Sequence, residues 1–73
     1  MGVALDKNKN VYLAGMETNN VVVLSPDGKI CRQILNKSDG LDEPCSLCIN
    51  IDRNELLVCN KIGPAFFFSL RYI

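Results

Sequence analysis

Residues 21–35 read VVVLSPDGKICRQIL. An apolar run is followed by a Ser-Pro-Asp-Gly-Lys turn and then by a segment that alternates. Pro26 presets φ at the first corner, and Gly28 takes the left-handed position that closes a bulged hairpin. That turn predicts strands over Val21–Leu24 and Ile30–Leu35. Upstream, GVALD (residues 2–6) alternates with Val3 and Leu5 on one face. KNKN makes a turn, VYLAG (residues 11–15) makes a second strand, and METNN makes a loop. Four short strands separated by turn signals predict an antiparallel meander. Within DKNKN, Lys9 stands where Gly would be easiest, at a cost of about 1 kcal/mol for a side chain held left-handed.

The pattern returns. CINID (48–52) lies over GVALD, LLVCN (56–60) over VYLAG, and FFFSL (66–70) over VVVLS, at an offset of about 45 residues. A period of this size with four strands per unit is that of a β-propeller blade. The expected fold is therefore all-β, an antiparallel meander forming about one and two-thirds blades. Residues 2–35 make the first blade, 36–43 an inter-blade loop, and 44–73 a final, three-stranded blade. The runs Val21–Leu24 and Phe66–Phe68 are apolar on both faces, whereas a sheet covered on one side alternates. A strand through the middle of a small sandwich is the alternative. In DRNE, a two-residue turn at Arg53 and Asn54 would pair Asp52 with Glu55, Ile51 with Leu56 and Ile49 with Val58, with Cys48 opposite Cys59.

Composition narrows the function. A chain of 73 residues holds one small domain, with little core unless it is stapled or assembled. Eight basic and eight acidic residues cancel, so no net charge draws the chain to nucleic acid or an anionic membrane. No apolar run approaches the roughly 20 residues of a membrane span. The opening MGVALDKNKN lacks a charged n-region, so it does not read as a signal peptide. Asp6 occupies the position where myristoylation of Gly2 would need Ser or Thr. The expected location is cytoplasmic, with reduced thiols.

The chain has no His, which removes Ser-His and Cys-His nucleophile pairs and His metal sites. Four Cys remain. Cys45-Ser-Leu-Cys48 has the spacing of a zinc knuckle, but Cys31 and Cys59 do not form a second one. The thiols are expected to act as small buried hydrophobes. Asn36-Lys-Ser38 is a sequon that matters only in a secreted protein. Asp6, Asp27 and Asp52 are expected to accept bonds from backbone N–H groups in their turns. No catalytic residue, cofactor or metal ligand is expected, and the chain is not expected to be an enzyme.

The stretch GVALDKNKNVYLAGMETNNVVVLSPDGKI resembles an NHL repeat. That repeat's pattern is a Gly-hydrophobic-Ala-hydrophobic-Asp strand, a turn ending in Asn, a VYVA-like strand, an Asn-containing loop, a VQVF-like strand and SPDGK. The likeness is close over residues 2–35 and looser over 44–70. Lys9 and Cys48 stand where the repeat has Gly. The resemblance implies a six-bladed propeller closed by a three-stranded last blade, so further repeats are expected before Met1. It also implies a protein-interaction scaffold of the kind that selects substrates in tripartite-motif ubiquitin ligases. A nucleic-acid role, an RNA-binding end face, is the alternative.

A meander sends its loops alternately to two ends. One end collects GMETNN, NKSDGLDEP and NKIGPA, and the other collects DKNKN, SPDGK and DRNE. The first end supplies the candidate partner-binding residues Glu17, Asn19, Asn20, Lys37, Asp39, Asp42, Glu43, Asn60 and Lys61. It carries four acids and two bases, against four and four at the other end. Neither end is basic, so phosphate neutralisation has little support. A protein partner is expected and a membrane is not. The apolar strand faces are expected to need further blades or self-association to cover them.

Overall fold

The computed structural model describes residues 2–63 and 65–70. The expected all-β meander is present. Strands β1 (Val3–Leu5), β2 (Val11–Gly15), β3 (Asn20–Leu24) and β4 (Cys31–Leu35) form one antiparallel sheet in sequential order. Strands β5 (Pro44–Asn50), β6 (Glu55–Asn60) and β7 (Ala65–Ser69) form a second. A 3₁₀ turn, Lys37–Asp39, lies between the two sheets in sequence.

The turns follow from their residues. Gly28 has φ 74° and its N–H donates to the Ser25 carbonyl at 2.9 Å, as the SPDGK reading requires. Lys9, at φ 66°, holds the same left-handed place in the first turn, where its N–H donates to the Asp6 carbonyl at 3.0 Å. Asn19 and Asn54, at φ 52° and 54°, close the two turns of four residues. Asn adopts this conformation more readily than other non-Gly residues because its short amide bonds locally.

The turn between β5 and β6 departs from expectation. It spans residues 51–54, so Asn50 pairs with Glu55, Ile49 with Leu56 and Leu47 with Val58. A two-residue turn of the twist-matched kind needs positive φ at both central residues. Only Asn54 supplies it, and Arg53 instead donates its N–H to Asn50 Oδ1 at 3.1 Å. Cys48 therefore lies opposite Leu57 and Cys59 opposite Ser46, not opposite each other. Asn50 takes the acceptor role expected of Asp52. β5 also starts at Pro44, earlier than the expected Cys48, with a bulge between Pro44 and Ser46. A proline fits the first residue of a strand because it has no N–H to offer the ladder.

The core lies between the sheets. Ala4, Tyr12, Ala14, Val21, Val23 and Leu35 from the first sheet meet Leu47, Ile49, Leu56, Val58 and Phe68 from the second. Leu41, from the segment expected to be only a connecting loop, is 1% exposed and belongs to this core. The opposite face of the first sheet is not covered: Val3 and Leu5 are 53% and 56% exposed. Phe67 is likewise 69% exposed on the outer face of the second sheet. The runs that are apolar on both faces are thus buried on one face in this chain. The thiols depart from expectation too. All four are free, but Cys31 and Cys48 are exposed, and Cys45 and Cys59 are half-buried. Cys48 lies on the outer face with its partner Leu57; the turn length changes its partner and not its face, because Leu57 and Cys59 share that face.

Candidate functional site

All nine candidate residues lie at the same end of the two sheets, and hydrogen bonds between asparagine side chains and the backbone knit part of that end together. Asn19, at the end of the β2–β3 turn, accepts the Glu43 N–H on Oδ1 at 2.8 Å. Asn60, at the end of β6, accepts the Asp42 N–H on Oδ1 at 3.0 Å and donates Nδ2 to the Gly40 carbonyl at 3.1 Å. The Lys61 N–H donates to the Glu43 carbonyl at 3.0 Å. Segment 40–43 is thereby clamped from both sheets, and Leu41 is pressed into the core beneath it.

The remaining candidates divide by role. Asn20 is committed to the fold: Nδ2 donates to Gln33 Oε1 on β4 at 3.0 Å, and Oδ1 accepts the Thr18 hydroxyl at 2.6 Å. Asp39 accepts the Asn36 N–H on Oδ2 at 2.9 Å, completing a capping box in which Asn36 Oδ1 accepts the Ser38 N–H. The sequon asparagine is therefore a cap, which satisfies a backbone donor of the 3₁₀ turn. Glu17, Lys37, Asp42, Glu43 and Lys61 are exposed. Of the nine, the asparagines build the platform and these five charged side chains stand on it.

Reading the sequence missed two residues of this end. Gly40 has φ 101°, and a Cβ there would come within 3.3 Å of the Phe66 ring. Both facts call for glycine, and its position after a capped turn was the available signal. Leu41 was the other, a lone large apolar residue in a polar segment.

The opposite end holds a different arrangement. The Asp6 carboxylate accepts the Asn8 and Asn10 N–H groups on Oδ1 at 2.9 and 3.0 Å. On Oδ2 it accepts Asn10 Nδ2 at 2.9 Å and the Tyr12 hydroxyl at 3.1 Å. Burial alone would raise its pKa, but the bonds from Asn10, Tyr12 and Asn8 outweigh burial and hold it below the ordinary 3.8. Burial, with the bond to Asp6 and its charge, pushes the Tyr12 phenol up to about 12, against a smaller lowering by Arg32. Asp27 is lowered by the bond from the Ser25 hydroxyl and then by the Lys29 N–H.

A cleft of about 340 Å³ opens beside Tyr12, with Val23, Ile34 and Leu70 as apolar lining and Asn10, Ser25 and Arg32 as polar lining. It is well away from the loop end. Its phenol is already bonded to Asp6, and its lining places no nucleophile beside a base. No group of three metal-ligating side chains occurs among the described residues. No helix among the described residues is long and apolar enough to cross a membrane.

No family model, curated protein or solved structure matched the chain.

Proposed function

We propose that this chain is a non-enzymatic interaction module, part of an NHL-type propeller that offers its loop end to a protein partner. In this reading the loop end selects the substrate for a tripartite-motif ubiquitin ligase in the cytoplasm. The observation that carries the proposal is the clamp of Asn19 and Asn60 on segment 40–43. It holds a loop cluster in one shape on two packed sheets and leaves Glu17, Asp42 and Glu43 exposed beside Lys37 and Lys61. A preorganised loop cluster loses little entropy on binding. Its excess of acids over bases suits a partner with basic residues, because complementary charge speeds and orients encounter. The same excess disfavours RNA, which needs phosphate neutralised.

The test is charge reversal at the loop end. Glu17→Lys with Asp42→Lys should abolish cross-linking to the partner, while Asp27→Lys at the far end should leave it intact. Equal loss from both variants would remove the loop end from consideration. Salt-sensitive binding of single-stranded RNA by the unmodified chain would replace this reading with the RNA one.

A further inference from the structure

The two sheets pack in a head-to-tail sense. All residues have the L hand, so the direction in which a strand residue sends its N–H and C=O fixes the face its side chain occupies, once strand direction is set. In the first sheet the Ala14 N–H donates to the Gly2 carbonyl at 2.9 Å. Ala14 and Tyr12 on β2 therefore aim their backbone groups at β1, and their side chains are the buried ones. In the second sheet the Lys61 N–H donates to the Glu43 carbonyl at 3.0 Å, and the Leu70 N–H to the Asn54 carbonyl at 2.9 Å. There the residues of β6 aimed at β5 are Cys59 and Leu57, and these lie on the outer face. The buried Leu56 and Val58 aim the other way, at β7.

The consequence is an equivalence between covered and uncovered surfaces. The covered face of the second sheet, Leu47, Ile49, Leu56, Val58, Phe66 and Phe68, corresponds to the uncovered face of the first. That face is Val3, Leu5, Val11, Leu13, Val22 and Leu24. The face of the first sheet that covers the second corresponds to the outer face of the second, which holds Cys48, Leu57, Cys59, Ala65 and Phe67. Each chain thus presents one uncovered copy of each half of its own internal contact.

We infer that, in this 73-residue chain by itself, the uncovered face of the first sheet docks onto the outer face of the second sheet of another copy, in the place that adjoining blades hold in the longer propeller of the proposed function. The contact repeats the one already made within the chain. None of the six side chains on the docking face of β1–β3 is charged, and Glu55 is the one charged residue among the outer-facing positions of β5–β7, so no like-charge pair opposes it. The backbone extent is that of a compact domain: the radius of gyration is 11.2 Å, against about 11 Å for this length. Contacts of this heterologous kind propagate into rings or filaments.

Sedimentation of the wild type with two variants tests the inference. Leu5→Lys places a charge on one face and Phe67→Lys on the other, both at positions exposed in the single chain. The wild type should rise to at least twice the monomer mass as concentration increases. Each variant alone should stay monomeric, and a mixture of the two should form a dimer and nothing larger, since each retains the face the other lacks. A monomeric wild type at millimolar concentration overturns the inference. So does association lost in Leu5→Lys but kept in Phe67→Lys, which signals face-to-same-face pairing. Association kept in both, or a mixture that stays monomeric, overturns it as well. If Leu5→Lys loses its strand circular dichroism, Val3→Lys replaces it on the same face.

Discussion

Replacing Asp6 by Ala removes an acceptor of four hydrogen bonds, and the structure sets the size of the loss. Two of the donors are the N–H groups of Asn8 and Asn10, held much as a helix cap holds its first turn. Such a cap is worth about 1 kcal/mol. A third donor is the Tyr12 hydroxyl, on a residue only 8% exposed. Leaving it without a charged acceptor costs about 1 to 2 kcal/mol. Asn10 Nδ2 is only part-buried and adds a smaller amount. Asp6→Ala should therefore destabilise the fold by about 2 to 3 kcal/mol. A chain of this length has a stability of roughly 4 to 11 kcal/mol, so the variant stays folded. The assay is urea unfolding followed by circular dichroism, at one fixed protein concentration. With a slope of about 1 kcal/mol per molar for so small a protein, the midpoint should fall by about 2 to 3 M. Asp27→Ala, which removes a similar bond in a fully exposed turn, should leave the midpoint unresolved from wild type. The folded pKa of Asp6 is depressed, so its contribution is present above the ordinary carboxylate pKa and fades as pH falls through the folded value. The gap between wild type and Asp6→Ala should close in acid. A gap that is absent at pH 7, or that widens in acid, would refute the assignment of Asp6 as the organiser of this turn.

Three further outcomes follow from the same packing. The Tyr12 phenol has its folded pKa raised to about 12, so its contribution is complete below about pH 10 and lost as pH rises through 12. Thermal unfolding should show a decline in stability over that window, absent from Tyr12→Phe. Leu41→Ala should cost about 2 to 4 kcal/mol, read as a lowered urea midpoint, since this loop residue is 1% exposed; a cost below about 0.5 kcal/mol would place it outside the core. Lys9→Gly relieves a side chain at φ 66° and should stabilise by about 0.5 to 1 kcal/mol, a rise of several degrees in Tm by calorimetry.

Much of the local structure was legible because turns and alternation are decided within a few residues. Gly28 and Pro26 specify the hairpin at SPDGK, and the left-handed strain at Lys9 follows from its place in DKNKN. VYLAG reads as a strand with the bounds it has. The β5–β6 turn was misjudged where DRNE offered two lengths. Asn54 can be left-handed alone, so the longer turn costs less than asking the same of Arg53. That choice moved the pairing partners of both Cys48 and Cys59.

At the candidate site, the sequence alone gathered the right loops, because strand alternation sends GMETNN, the 36–43 segment and the loop after Asn60 to one end. It did not separate the residues that build the end from those that face outward. Asn19, Asn20 and Asn60 were grouped with Glu17 and Lys61, although each asparagine is held by a partner far along the chain, 13 to 24 residues away. Side-chain bonds across such separations leave no local periodic signal.

What the sequence by itself determined, then, is the order of strands, the hand and residues of most turns, and the absence of histidine chemistry. Each depends on backbone sterics and side-chain identity over a few residues. Only the tertiary structure decided which face of each sheet is covered, that Leu41 is core, and that the two uncovered faces are copies of the halves of an internal contact. Those depend on which surfaces meet, and apolar surface carries no direction: Val3 and Tyr12 are equally ready to be buried, and the packing of β5 against β1 and β2 selects between them.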